Sequence, residues 1–496
     1  MTRSRLLALV LPLVLAGCGS TVQSRSVAGT YGGDLGLNGA PATSAATGTT
    51  GAGTARPDTG PVSSTSGGTG AVAPGAVPTT DASLPAAQLP GTGPRQPLSI
   101  GVVLTGTSNA SQFGVSLGNT LAEKDVDQAI IDGLNKQGGI AGRKIVPVYA
   151  NTDTGSANWE TDFSAACATF TQDHHVVAVL GYVFNYFQSF ESCLAKRGIV
   201  HLNTGFNIPD RSELSQYPYF LAVDTPTIDR RGLLKLDGGV ATGVLTRSSK
   251  IGILTDTCPG TQRSLSSTFL PETRRLGLTV TKTITFQCAN GNADAAGAVQ
   301  AVQSAVLQFA AAGVDRVIFH SVSEGPPLLL FSLSAQSQGY HPTYLVTSLA
   351  NLQSLASDFP AAQRPNIHGY GWMANQDVPP SAYPRPNAMQ RRCLGYLTAK
   401  GLKPSTGPDF AYAYNFCESV FEYEKALDRT GGLSDGTQVM AAIHAFGSDV
   451  ESVINNSGSA FGPRLDDAVR ATQHLIYRSA CTCWAYTGPA RTIPVD

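Results

Sequence analysis

The chain has 496 residues, of which 42% are hydrophobic and 14% are charged. That length is enough for two or three domains and a large buried core. Lys and Arg number 34 and Asp and Glu number 35, so the net charge of −1 gives no global reason to expect nucleic acid as a partner.

The first residues have the pattern of an export signal. Arg3 and Arg5 precede an apolar run of about eleven residues, the length of a signal-peptide core and too short to cross a bilayer. The following LAGC resembles a bacterial lipobox, which implies cleavage before Cys18 and lipidation of that cysteine. We therefore expect residues 1–17 to be a lipoprotein signal peptide and Cys18 to anchor the protein outside the cytoplasm, on the bacterial cell membrane. We expect no transmembrane helix.

Residues 18–96 consist mainly of Gly, Ser, Thr, Ala and Pro. Such a stretch cannot bury enough apolar surface to offset the entropy lost on ordering, which predicts a disordered tether. As a flexible coil of roughly eighty residues it would average about 50 Å from end to end.

From Leu98 onward, short β-rich runs alternate with helical patterns. The first series of predicted strands covers 98–104, 144–150, 175–181 and 198–203. The second series covers 250–256, 278–286, 314–320 and 342–348. Continuous apolar strands separated by helices are typical of parallel sheets covered on both faces. The sequence thus predicts an α/β protein with two doubly wound parallel-sheet lobes.

The helical patterns between these strands include a long first helix over about 113–137. After about residue 375 the pattern becomes helical, with predicted helices over roughly 387–400 and 409–429. The last predicted strand covers 474–486.

Nine cysteines are present, and removing Cys18 leaves an even set of eight, which suggests disulfides in an exported protein. No C-x-x-C motif or Cys/His cluster has the spacing of a zinc site. We expect neither a metal nor a cofactor.

Several segments in order carry a family resemblance. They are SIGVVLTGTSNASQFG, a helix ending in IIDGLNKQ, GGIAGRKIVPVYANTD, the Cys167–VVAVLG–Cys193 series and the late FGPRLDD. Together they resemble type I periplasmic solute-binding proteins of ABC importers, of the branched-chain amino acid-binding family. The resemblance implies a monomer with no enzymatic activity that binds a small-molecule ligand and passes it to ABC permease and ATPase subunits. The glycines of GGIAGR sit where a helix must reverse into a strand, so we interpret that motif as structural.

The resemblance also implies a division of the chain into two lobes joined by a multi-strand hinge. Lobe one is expected to comprise residues 97–223 and a helical return over 375–470. Lobe two is expected to comprise residues 224–374 and a final segment over 471–496.

The ligand of such a fold lies in the cleft beyond the carboxyl ends of the strands. The loops that follow the predicted strands should line this cleft. Their candidate ligand-binding residues are Thr105, Ser108, Asn109, Tyr182, Asn185, Thr204, Gly205, Asp256, Ser321, Glu324 and Thr347. The resemblance implies that the hydroxyls of Ser108 and Thr204 hold a ligand carboxylate and that Glu324 holds an ammonium group. The segment GYVFNYF (181–187) departs from the family by offering aromatic residues where serines are expected. Any of these aromatics in the cleft would favour a ligand bulkier or more apolar than valine.

The same map favours disulfides between Cys167 and Cys193, between Cys258 and Cys288, and between Cys393 and Cys417. Cys481 and Cys483 are expected on the same side of one strand, where a mutual bond would be strained, so their pairing stays open.

Two alternatives accompany this interpretation. The same fold serves as a ligand sensor that signals through a membrane partner. An esterase using Ser116 of the GVSLG segment (114–118) is remote, because a nucleophile elbow must directly follow a strand.

Overall fold

The computed structural model describes residues 96–493, apart from 107–119, 449, 464 and 466. The predicted signal peptide, Cys18, Ser108, Asn109 and Ser116 lie outside the described residues, as does all but the last residue of the predicted tether. None of the helices in the described part of the chain has the length and hydropathy that a membrane span requires.

Twelve strands occur in the described residues and form a five-stranded and a seven-stranded sheet. The strands are β1 (Leu98–Gly106), β2 (Ile145–Asp153), β3 (Ala178–Gly181), β4 (Val200–Asn203), β5 (Phe220–Ala222), β6 (Lys250–Asp256), β7 (Thr279–Phe286), β8 (Arg316–His320), β9 (Thr343–Thr347), β10 (Ile367–Gly371), β11 (Ala471–Arg478) and β12 (Cys483–Thr492).

The α-helices are α1 (Glu123–Lys136), α2 (Trp159–Ala168), α3 (Gln188–Ala195), α4 (Arg211–Leu214), α5 (Ile228–Ala241), α6 (Pro259–Ser264), α7 (Leu270–Arg275), α8 (Asn292–Ala311), α9 (Gly325–Ser337), α10 (Ala374–Asp377), α11 (Ala388–Ala399), α12 (Gly407–Arg429) and α13 (Gly436–His444). Single π-helical turns extend α2 and join α6 to α7. Short 3-10 turns cover Ser348–Ala350, Arg364–Asn366 and Pro380–Ala382.

The first sheet has the strand order β2-β1-β3-β4-β5, and all its pairs are parallel. The second sheet has the order β12-β11-β10-β9-β8-β6-β7. Its strands are parallel from β7 to β10, and β11 and β12 add an antiparallel edge. The predicted α/β fold with two parallel-strand sheets is confirmed.

Each sheet lies between two apolar layers, which is why its central strands consist of consecutive buried residues. Helices α1, α12 and α13 contact the first sheet within one core, and α2 and α3 pack in a separate core. Helix α5 covers the second sheet on one side, and α8 and α9 form the other core. We call the first sheet with its helices lobe one, and the second sheet with its helices lobe two.

The described chain passes between the two sheets three times: after β5, after β10 and before β11. These crossings are tied to one another. The indole N–H of Trp372 donates to the carbonyl oxygen of Asp224 at 2.6 Å, and Arg230 forms a buried ion pair with Asp467. The connection between the lobes therefore consists of several cross-linked segments.

The GGIAGR turn has the structural role that the sequence predicts. Gly138, Gly139 and Gly142 all have positive φ, and a Cβ on Gly139 would lie 1.9 Å from the carbonyl oxygen of Arg143. The buried Arg143 guanidinium donates to the carbonyl oxygens of Gln96 at 2.6 Å and of Gly432 at 2.9 Å. The turn between α1 and β2 is thereby hydrogen-bonded to the segment that precedes β1 and to the loop that follows α12.

The first helix differs from its prediction at its start. The sequence predicts a helix over about 113–137, whereas α1 begins at Glu123, and Thr120 and Leu121 are not helical. Their backbone N–H groups donate to Asp409 of α12 at 2.7 and 3.0 Å, which holds this stretch outside the helix.

The C-terminal region also corrects the prediction. The single strand predicted over 474–486 is wrong, because β11 and β12 form an antiparallel hairpin that turns between Arg478 and Cys483. Cys481 therefore lies in a turn rather than in an extended strand, and its Cα lies only 5.2 Å from that of Cys483. The two cysteines form the disulfide that the sequence left open.

The three predicted disulfides are also present, between Cys167 and Cys193, between Cys258 and Cys288, and between Cys393 and Cys417. The first joins α2 to α3, and the last joins α11 to α12.

Candidate ligand-binding cleft

The carboxyl ends of the first sheet bring together residues that are distant in sequence. Gly181 at the end of β3 pairs with Asn203 at the end of β4, and Asn203 pairs with Ala222 at the end of β5. Tyr182 and Thr204 therefore follow their strands side by side, with Asp224 just beyond β5. Loops in this position are where open α/β sheets bind ligands.

Two predicted hydroxyl residues on this edge have free hydrogen-bonding capacity. The hydroxyl oxygens of Thr105 and Thr204 are buried, and neither has a hydrogen-bond partner in the described part of the molecule. The backbone N–H of Thr105 donates to the Glu123 carboxylate at 2.9 Å, and that of Thr204 donates to the carbonyl oxygen of Gly181 at 3.2 Å. The backbone thus fixes both residues and leaves their hydroxyls available.

Asp224 adds a carboxylate at the first crossing between the lobes. Its side chain is fully buried, and neither oxygen reaches hydrogen-bonding geometry with any described group. Burial raises the pKa of Asp224 well above its ordinary value, and the Glu418 carboxylate raises it further. The nearby Thr225 hydroxyl lowers that pKa but does not cancel the effect of burial.

Tyr182 is the aromatic residue of GYVFNYF that faces this edge. Its ring packs edge-to-face on Phe206 with the centroids 5.5 Å apart. Burial raises the pKa of Tyr182 well above its usual range, and Tyr412, Glu123 and Asp224 add smaller electrostatic contributions. The phenol therefore lies within electrostatic range of two carboxyl groups and a second tyrosine.

The other aromatics of that segment pack elsewhere. Phe184 and Phe187 are buried against Phe163 of α2, and Phe184 also meets the ring of Trp159. Tyr186 packs edge-to-face on Phe220. The departure from the family pattern in GYVFNYF thus contributes mainly core packing and one cleft aromatic, Tyr182.

Asn185 and Gly205 hold neighbouring loops together. The amide oxygen of Asn185 accepts a hydrogen bond from the side-chain N–H of Asn207 at 2.7 Å. A Cβ on Gly205 would lie 1.9 Å from the carbonyl oxygen of Val183, so the loops after β3 and β4 can approach only because this residue is glycine.

Two predicted residues on lobe two are also committed to loop contacts. The Asp256 carboxylate accepts from the backbone N–H groups of Cys258 at 2.9 Å and Val322 at 2.7 Å, which ties the loop after β6 to the loop after β8. The Ser321 hydroxyl donates to the carbonyl oxygen of Ser323. Both side chains are almost completely buried.

Glu324 is fully buried and forms an ion pair with Lys235 of α5 at 2.7 Å. Its other oxygen accepts from the N–H and the hydroxyl of Thr347, at 2.6 and 2.8 Å. Both oxygens of Glu324 are therefore occupied within lobe two. The assignment of Glu324 to a ligand ammonium stays a prediction, and these contacts weigh against it.

The sequence interpretation did not select three residues that act electrostatically on Tyr182: Glu123, Asp224 and Tyr412. Glu123 opens α1, and burial raises its pKa to about 7 against the lowering effect of the Thr105 N–H. An acidic residue at a helix start is common as a capping device, so its position gave no signal. Asp224 did offer one, because a lone carboxylate directly follows the apolar run FLAV.

The two lobes touch on both sides of this edge. The N–H of Trp159, at the start of α2, donates to the carbonyl oxygen of Asn290 at 3.0 Å. On the other side, the Arg263 guanidinium of α6 pairs with Asp210 in two contacts of 2.6 and 3.0 Å. The cleft is therefore bridged at its mouth in this structure.

Two surface cavities lie away from this edge. One of about 370 Å³ lies beside the crossing segments and is lined by residues that include Tyr383 and Tyr414. Another of about 270 Å³ lies on lobe two near Tyr370 and His474. Neither includes the free hydroxyls or Asp224, so we place the candidate site by its available polar groups rather than by a cavity. No cluster of metal-binding side chains occurs among the described residues.

No family model and no curated protein matches this sequence, but solved structures match its fold. An ABC transporter substrate-binding protein from Desulfitobacterium hafniense, in complex with Leu, is 16% identical with a TM-score of 0.53, covering 79% of this chain and 99% of that one. A solute binding protein of an ABC transporter from Rhodopseudomonas palustris, in complex with 3,4-dihydroxybenzoic acid, is 14% identical with a TM-score of 0.59, covering 81% and 98%. A fatty acid ABC transporter substrate-binding protein from Thermomonospora curvata is 15% identical with a TM-score of 0.56, covering 80% and 95%. At these identities the likeness shows the fold, and the chain has the α/β fold of type I periplasmic binding proteins.

Proposed function

We propose that this chain is an extracytoplasmic solute-binding protein that closes its two lobes on a small molecule and delivers it to an ABC importer. The observation that carries this proposal is the set of buried, unpartnered polar groups on Thr105, Thr204 and Asp224 at the carboxyl ends of the first sheet. Buried polar groups without partners are costly, and at the edge where open α/β sheets bind ligands such groups favour a ligand that supplies the partners. The similar structures are binding proteins, which supports a binding role over an enzymatic one.

The chemistry of this edge favours a ligand that carries a cationic or hydrogen-donating nitrogen. The carboxyl groups of Asp224 and Glu123 both contribute to the raised pKa of Tyr182, and neither forms an ion pair within the described residues. An ammonium group placed between them would favour their ionised forms and lower the pKa values that burial raises. We therefore assign the ligand's amino group to lobe one, where the family resemblance implied a carboxylate.

The second part of the ligand is expected to be flat and apolar. The ring pair of Tyr182 and Phe206 offers an aromatic surface beside the carboxylates. The similar structures were obtained with leucine and with an aromatic acid, so ligands of this size suit the fold. We propose an amine or amino acid with an aromatic or large aliphatic group.

Matched ligands test this proposal in a thermal-shift experiment. Phenylalanine, 2-phenylethylamine and 3-phenylpropionate share one ring and differ in the ammonium and carboxylate groups. We expect the first two to raise the melting temperature and the third to leave it unchanged. A ligand at about 100 times its Kd adds about 2.7 kcal/mol to the free energy of unfolding, which is easily measured. Failure of every amine and amino acid on a broad panel would contradict the proposal.

A pair of variants on α1 localises the binding. Glu123→Gln removes the carboxylate and keeps an acceptor for the Thr105 N–H. The affinity for the ligand should therefore fall about tenfold, and the stabilisation at a fixed ligand concentration should fall with it. Asp125→Asn, on the exposed side of the same helix turn, should bind as the unaltered protein does. Equal binding by both variants would move the site away from Glu123.

The anchor is part of the same proposal. We propose that Cys18 carries the lipid and that residues 18–96 act as a tether that lets the lobes reach an importer in the same membrane. The support is the LAGC motif and the composition of the following segment. Cys18→Ser should release the protein from the membrane fraction into the soluble exported fraction, and retention in the membrane fraction would contradict the anchor.

A further inference from the structure

The tip of the β11–β12 hairpin carries a disulfide that differs from the other three. Cys481 and Cys483 are joined across a single residue, Thr482. Among the cysteines that the structure describes, Cys481 alone is exposed, while its partner Cys483 is buried, as is at least one cysteine of each of the other three bonds. An external thiol can therefore reach the Cys481 sulfur without any opening of the fold.

This disulfide adds little to the stability of the fold. The other bonds close sequence separations of 24 to 30 residues, whereas this one closes a separation of 2. The entropy that a cross-link removes from the unfolded chain grows with loop length, so this disulfide stabilises the folded state less than the other three do. The hairpin is already held by the paired residues Arg478 with Cys483 and Tyr477 with Trp484.

The backbone inside the small ring is strained. Thr482 has a φ of 51°, in the left-handed region. A β-branched residue pays a steric penalty there that glycine does not. Thr482 also ends the turn between Arg478 and Cys483, so the turn and the disulfide ring both constrain it, and reduction removes the constraint of the ring.

We propose that Cys481–Cys483 is a thiol–disulfide exchange site whose co-reactant is a small thiol or dithiol. A thiolate attacks the exposed Cys481 sulfur, the S–S bond breaks, and Cys483 leaves as a thiolate that takes up a proton. A second thiolate then attacks the mixed disulfide, which frees Cys481 and releases the oxidised small molecule. Two thiols lose two electrons and two protons, and the protein disulfide gains them as two thiols. Exposed or strained disulfides are the ones that undergo such exchange.

Differential alkylation tests the proposal with the other disulfides as internal controls. The native, folded protein is titrated with dithiothreitol, alkylated and mapped by mass spectrometry. We expect Cys481 and Cys483 to be half-labelled at about tenfold less reductant than any other pair. Labelling that begins at Cys167–Cys193, Cys258–Cys288 or Cys393–Cys417, or simultaneously at all four bonds, would overturn the proposal.

Two substitutions at Thr482 separate backbone strain from simple exposure. Thr482→Gly removes the steric penalty, so its bond should require about three to ten times more reductant than the unaltered protein. Thr482→Val keeps the β-branched shape and removes only the hydroxyl, so it should match the unaltered protein. If the glycine variant is reduced as readily as the valine variant, the role assigned to strain is wrong.

A stoichiometric assay measures the exchange itself. Folded protein mixed with a small excess of dithiothreitol should form about one equivalent of oxidised, cyclic dithiothreitol per protein in a rapid phase. The Cys481→Ala/Cys483→Ala double variant lacks only this disulfide and should lose that phase while keeping its melting temperature. A rapid phase that persists in the double variant would refute the assignment to this hairpin.

Discussion

Replacing Asp224 by asparagine should stabilise the protein at neutral pH and weaken its binding of the ligand. The carboxylate is fully buried at the first crossing between the lobes, has no hydrogen-bond partner in the described residues, and lies near Glu418. Folding at neutral pH must therefore either bury a charge or protonate the group. Asparagine has nearly the same shape and no charge, so Asp224→Asn removes that cost.

The size and the sign of this effect both follow from burial. An uncompensated buried group costs about 1–3 kcal/mol, so the variant should gain about that much at pH 8. Because the folded-state pKa of Asp224 is raised, the stability that its protonated form contributes is complete below the unfolded pKa of about 3.9. That contribution is lost as the pH rises through the folded pKa. The advantage of the variant should thus be absent at pH 4 and grow toward pH 8.

Urea unfolding at pH 4, 6 and 8 measures this difference, and a second hinge aspartate supplies the control. Asp467 is equally buried but forms an ion pair with Arg230 and accepts from the N–H of Thr227 at 2.9 Å. Asp467→Asn leaves the Arg230 charge without that partner and should cost about 3 kcal/mol at pH 8. If Asp224→Asn also destabilises at pH 8, or if its effect does not change with pH, the reasoning about an unpaired carboxylate is refuted.

Three further predictions concern contacts that hold the lobes. Lys235→Met leaves the Glu324 carboxylate buried without its cation and should lower the free energy of unfolding by about 3–5 kcal/mol, and a loss below about 1 kcal/mol in urea would argue against the pair. Arg263→Ala removes a half-exposed contact across the cleft mouth, so stability should change by less than about 1 kcal/mol, while small-angle scattering should show a larger radius of gyration; an unchanged radius would count against its bridging role. Replacing Cys393 and Cys417 together by alanine should cost about 3 kcal/mol, and a melting temperature equal to that of the unaltered protein would contradict this.

The architecture was predictable because local patterns determine it. Buried runs such as VVAVL specify central parallel strands, and the glycines of GGIAGR specify a reversal that no other residue can make easily. The hairpin at the C-terminus was not predictable in the same way. Its turn consists of Ser, Ala, Cys and Thr, without the Asn-Gly or Gly-rich signal that marks most tight hairpins, and Thr482 takes the left-handed conformation there.

The cleft was predictable only in part, because a loop residue's partner is invisible in the sequence. Thr105 and Thr204 were found from their place after strands, and the structure leaves their hydroxyls free. Glu324 was selected by the same reasoning, but its partner Lys235 comes from α5, 89 residues earlier in the chain. Sequence position gives the location of a side chain on a sheet edge, whereas only the fold shows whether another group has already satisfied it.

The distribution of satisfied and free groups suggests how the two lobes divide the work of binding. On lobe two, the side chains of Asp256, Glu324 and Thr347 make hydrogen bonds within that lobe, whereas the side chains of Thr255 and His320, on β6 and β8, have no hydrogen-bond partner among the described residues. On lobe one and at the first crossing, the buried side-chain oxygens of Thr204 and Asp224 have no hydrogen-bond partner among the described residues, which is unfavourable for folding. We therefore propose that both lobes offer polar groups to the ligand and that the unpartnered carboxylate comes from the first crossing. On this proposal, a ligand that pairs with Asp224 acts directly on a segment that links the lobes.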